Sequence, residues 1–109
     1  VILPQGVNMR ITETECRVQR DAAREAFGAE SKVFLFGSRV DGARRGGDID
    51  LLVKTGKRGH ATIFASQLQF LAKVELALGE QKVDVLVDSP ERKSLPEILR
   101  IARAQGVEL

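Results

Sequence analysis

Hydrophobic positions recur along this chain with two different periods, and the switches between them lay out its elements. Residues 12–28, "TETECRVQRDAAREAFG", open on Thr12 with Glu15 three places on, the spacing of a capping box, and close on Gly28. A helix is expected here. "KVFLF", residues 32–36, is a short β-prone run and reads as a buried strand. In "DIDLLV", residues 48–53, the period is two: Asp48, Asp50 and Leu52 fall on one face, Ile49, Leu51 and Val53 on the other. "TGKRGH", residues 55–60, reads as a turn. From Ala61 to Gly79 the helical period returns, with Phe64, Leu68, Leu71, Val74 and Leu78 along one stripe and Ile63 and Phe70 widening it. This helix is expected to be the main core packer. "KVDVLVD", residues 82–88, alternates again, setting Val83, Val85 and Val87 against Asp84 and Leu86. A last helix begins near Ser94, has Pro96 and Glu97 in its first turn, buries Leu95, Ile98, Leu99 and Ala102, and stops at Gly106. "VEL" then adds a short final strand.

The helix between the second and third strands has the length of a crossover, so those strands are expected to lie parallel and adjacent, with the first antiparallel to the second. The fold class is therefore α/β in the broad sense, more strictly α+β: a small mixed sheet of three to four strands packed with helices. Residues 1–11 read as a flexible arm and residues 12–109 as a single domain. Matched apolar faces on adjacent parallel strands bring the polar faces together as well. Asp84 is thus expected beside Asp48 and Asp50.

Composition narrows the partners. With 43% apolar and 29% charged residues and no apolar run of membrane-crossing length, a membrane function is not expected. The first ten residues, "VILPQGVNMR", lack the pattern of a secretory signal, which leaves the cytoplasm as the default expectation. Seventeen basic residues against 15 acidic ones, a net charge of +2, is too near balance to indicate nucleic acid. Cys16, the only cysteine, excludes an internal disulfide; it reads as a small core residue, with a reactive thiol as the alternative.

The chemistry concentrates in "FGSRVDGARRGGDIDLLV", residues 36–53. Carboxylates gathered on one sheet face repel one another unless a cation neutralises them. All-oxygen ligation by Asp48, Asp50 and Asp84 selects a hard ion, Mg²⁺ or Mn²⁺, and the Asp48–Asp50 pair has enough oxygens to bridge two. Two hard ions suit phosphoryl or nucleotidyl transfer, with Asp84 also placed to accept the proton of the attacking hydroxyl. Gly37 and Ser38 supply the complement, a close backbone approach together with a hydroxyl and free N–H groups for a triphosphate. Arg39, Arg44 and Arg45 add positive charge to the same loop. The glycines fit neither a Walker loop nor a dinucleotide fingerprint.

"FGSRVDGARRGGDIDLLV" followed by "VDVLVD" resembles the nucleotidyltransferase superfamily of the DNA polymerase beta type, and in its brevity the minimal nucleotidyltransferases of prokaryotes. The resemblance implies a polymerase-beta-palm-like fold, triphosphate binding by Gly37 and Ser38 with Arg39 and Arg45 alongside, metal binding by Asp48 and Asp50, and completion of the site by Asp84. It also implies ATP as donor of AMP, two Mg²⁺ or Mn²⁺ ions, and a small helical partner of the HEPN type in a toxin and antitoxin pair, with some such proteins attaching AMP to that partner.

Simpler readings stand beside these. Asp48 and Asp50 also suit strand capping or pairing with nearby arginines; Asp88 offers a carboxylate on the same side as Asp84; the three arginines also suit a solvated loop. His60 reads as an exposed turn residue. Gln67 and Glu75 interrupt the apolar stripe as solvated helix-edge residues or as part of a cleft or partner surface. A non-catalytic protein that neutralises its partner by complex formation is the competing function class.

Overall fold

The computed structural model describes residues 12–36, 49–79, 82–90, 100, 104 and 106–109. Its elements are α1 (Glu13–Phe27), β1 (Lys32–Phe36), β2 (Ile49–Lys54), α2 (His60–Leu78), β3 (Val83–Asp88) and β4 (Val107–Glu108). The arm at 1–11 lies outside the described residues. So does nearly all of the helix expected from Ser94, of which only Arg100 and Ala104 are described, both in helical backbone. No described helix is long and apolar enough to cross a membrane.

The capping box forms as its spacing requires: the Thr12 hydroxyl accepts the Glu15 amide at 3.0 Å, and the Glu15 carboxylate accepts the Thr12 amide at 3.1 Å. At the other end of α1 the chain curls back to satisfy the orphan carbonyls. The Ser31 hydroxyl donates to Ala23 (3.1 Å), the Gly28 amide to Arg24 (3.1 Å), the Lys57 ammonium to Ala26 (2.9 Å) and the Thr55 hydroxyl to Phe27 (2.8 Å). An ammonium at a helix C-terminus is also the favourable sign for the macrodipole. Thr55→Val keeps the shape but strands the Phe27 carbonyl, so a loss of about 1–3 kcal/mol is expected in urea melts. A loss below a few tenths would show that water replaces the hydroxyl at no cost.

The strands form one sheet in the order β3-β2-β1-β4. β1 pairs antiparallel with β2, Leu35 opposite Leu51, and with β4, Leu35 opposite Val107. β2 pairs parallel with β3, Leu51 beside Val85. This is the predicted mixed sheet, and α2 is its crossover. One sheet face, carrying Val33, Leu35, Ile49, Leu51, Val53 and Val87, forms the main core with Ala22, Ala23, Ala26 and Phe27 of α1 and Phe70 and Val74 of α2. The other face carries a second, smaller cluster of Phe36 and Leu52 with Phe34 and Leu86 packed against them.

Three expectations need correction. The stripe assigned to the core is largely outside it: Phe64 is 61% exposed, Leu68 54% and Leu71 36%, whereas Phe70 is fully buried and meets Phe27 with ring centroids 6.1 Å apart. The helix is apolar nearly all the way round, with His60, Lys73 and Glu75 as its only titratable side chains. Periodicity therefore offered two candidate faces, roughly a quarter-turn apart. On the face that is buried, Ser66 meets the half-buried Lys57 ammonium (3.3 Å), and Lys73 pairs with Glu25 of α1 (2.6 Å). Nor is α2 the main packer, since α1 buries five residues to its three. Finally, His60 opens α2 behind Gly59, whose φ of 93° makes the bend, instead of lying in the preceding turn; it is exposed, as expected.

Gln19 lies among the buried residues of α1, fully inaccessible, with neither amide atom hydrogen-bonded. Cys16 is half-buried against the main core, and burial pushes its thiol above the ordinary value, which favours the neutral thiol over the thiolate.

Candidate active site

Alternation along β2 and β3 decides which side chains share a face, and the parallel register decides which stand side by side. Asp50 is the register partner of Asp84, so their backbones are about 4.8 Å apart and both side chains project from the face away from α1 and α2. Asp50 is half-buried and Asp84 exposed. Across β1, Phe36 is the partner of Asp50, and the cluster of Phe36, Leu52, Phe34 and Leu86 adjoins the carboxylates as an apolar floor. Asp88 is buried and lies opposite Lys54, four residues farther along β3. It is Asp84 that stands beside Asp50.

The expected adjacency of Asp50 and Asp84 is therefore present. Asp48, Gly37, Ser38, Arg39, Arg44 and Arg45 lie outside the described residues. Among the described residues no group of three or more carboxylate, imidazole or thiol side chains is close enough to hold a metal ion. The described pair alone is an all-oxygen donor set, open to solvent on one side, of the kind that suits a hard cation.

A pocket of about 510 Å³ between α1 and the β1–β4 edge, lined by Arg20, Arg24, Ser31, Lys32 and Glu108 among others, opens at the Lys32 end of β1. The carboxylates adjoin the Phe36 end, roughly 13 Å away at about 3.3 Å per residue. The two places are separate.

One charged residue at the carboxylate end carried no role in the sequence reading. Lys82 immediately precedes β3, and its carbonyl accepts the Ile49 amide at 3.0 Å. The signal was present in "KVDVLVD", where Lys82 is two residues before Asp84 and so shares its parity.

The comparison with known proteins bears on this arrangement. A family model described as a nucleotidyltransferase domain matches residues 16–107, nearly the whole of the 109-residue chain. The chain belongs to the nucleotidyltransferase domain family. A search of curated proteins gave no match. The matched span runs from α1 to β4, so the sheet that aligns Asp50 with Asp84 is the nucleotidyltransferase domain itself, and nucleotidyl transfer is the activity its family carries.

Proposed function

We propose that this nucleotidyltransferase domain works in the cytoplasm as a metal-dependent enzyme that moves AMP from ATP to a hydroxyl on a partner protein, a small helical one of the HEPN type, with pyrophosphate as the leaving group. The observation that supports it best is the side-by-side placement of Asp50 and Asp84 on adjacent parallel strands, on the sheet face opposite α1 and α2. With Asp48 they form an oxygen donor set for two Mg²⁺ or Mn²⁺ ions. When bound, the ions supply charge neutralisation at the triphosphate and acidify the attacking hydroxyl. The chain's own residues do the rest: Gly37 and Ser38 bind the triphosphate, Arg39 and Arg45 pair with its oxygens, and Asp84 takes the hydroxyl proton. The apolar floor of Phe36 and Leu52 keeps water from that side of the carboxylates.

A helical protein partner is supported by the exposed apolar line of Phe64, Leu68 and Leu71 on α2, which suits burial against another helix and lies on the helix side of the sheet, across from the carboxylates. The same line supports the second reading, a non-catalytic antitoxin-like protein that neutralises its HEPN-type partner by complex formation. Calorimetry with ATP separates the nucleotide claim from that alternative. Affinity in Mg²⁺ is expected to exceed affinity in chelator by roughly 100-fold, because unneutralised carboxylates repel the triphosphate. Equal affinity in both buffers overturns the metal site.

A further inference from the structure

Lys82 occupies the position on the carboxylate face just before Asp84. The Ile49 amide donates to its carbonyl at 3.0 Å, which is the ladder bond flanking the Ile49–Val83 pair, so the parallel ladder governs the backbone at Lys82 even though β3 proper begins at Val83. Side chains alternate, and Lys82 therefore shares a face with Asp84 at about 6.6 Å along the strand. It is exposed, and its four-carbon stem is long enough for the ammonium to reach the edge of the Asp50–Asp84 pair.

We propose that Lys82 is a nucleotide-binding residue, its ammonium meeting the phosphate oxygens of the bound triphosphate at the edge of the carboxylate pair. This rests on the nucleotidyltransferase reading of Asp50 and Asp84. Carboxylates committed to cations no longer need the ammonium, whereas a triphosphate carries more negative charge than those cations cancel once they also serve the aspartates. Lysine, a compact charge with three donors, matches a phosphate cluster at any of several angles.

The test measures equilibrium binding, so it needs no turnover. Calorimetry with ATP and with adenosine, both in Mg²⁺, is run on the unsubstituted chain, Lys82→Gln and Lys82→Arg. Lys82→Gln is expected to weaken ATP binding about tenfold and leave adenosine binding unchanged, and Lys82→Arg to restore ATP affinity to within about threefold of the original. ATP affinity unchanged in Lys82→Gln overturns the proposal alone. So does an equal loss for ATP and adenosine, or a fall in melting temperature with unchanged affinity of the folded protein, since each marks a structural role. Absence of ATP binding by the unsubstituted chain overturns both this assignment and the reading on which it rests.

Discussion

Asp50→Asn is expected to lower nucleotidyl transfer by at least about 10³-fold while changing stability by less than about 1 kcal/mol. The two halves of this result have separate causes. Asparagine preserves volume and a hydrogen-bonding group at a half-buried strand position, and it removes one of two like charges held in register, so the sheet loses little. The same change removes the charge that makes the pair a cation site, and with it the electrostatic stabilisation on which transfer depends. Asp84→Asn is expected to act in the same direction. Rates with labelled ATP and melts in metal-free buffer measure the two halves independently. A drop of several kcal/mol in the melt, with transfer lost only in proportion to unfolding, would assign Asp50 to the structure of the sheet and not to the chemistry.

The second large effect lies in α2, where two phenylalanines six residues apart occupy opposite situations. Phe70→Ala is expected to cost about 3–5 kcal/mol, since Phe70 is fully buried in the main core and meets the Phe27 ring, so its removal leaves a cavity. Phe64→Ala, at a site 61% exposed, is expected to cost less than about 1 kcal/mol. The comparison holds residue type and helix constant and varies only the face. Similar losses at the two sites in chemical denaturation would mean that α2 sits rotated by about a quarter-turn from the orientation described.

What could be read from the sequence follows the strength of each periodic signal. In "DIDLLV" and "VDVLVD" the period is two and carboxylates break it on one parity only, so the strands, the face they bury and the neighbourhood of Asp50 and Asp84 are all legible in the pattern itself. The crossover length fixed the parallel pairing by the same kind of local argument. Even the two-residue β4 was legible from "VEL". The rotation of α2 was not, because a helix with apolar residues on most sides does not declare which of them meets the sheet. The face that is buried is accompanied by polar contacts of Ser66 and Lys73 whose partners, Lys57 and Glu25, come from other segments and so leave no mark in the periodicity of the helix. Fully buried Gln19 was illegible for the opposite reason, a polar residue in a helix that the pattern would send to solvent. Lys82 was legible by parity, yet a lone lysine before a strand attracts no attention until a register shows what stands next to it.

The pairing of Asp50 with Asp84 also says when the site can come into being. The two carboxylates belong to strands joined only through α2, and parallel strands, unlike a hairpin, meet only after the intervening helix has folded back across the sheet. The α1 cap and the β1–β2 pairing draw on neighbouring stretches of chain and carry no such requirement. A nascent or partly unfolded molecule that has not closed the crossover therefore presents Asp50 without Asp84 beside it. Docking of β3 is the step that completes the charge centre, so loosening the β2–β3 edge is expected to silence the site well before the helices melt.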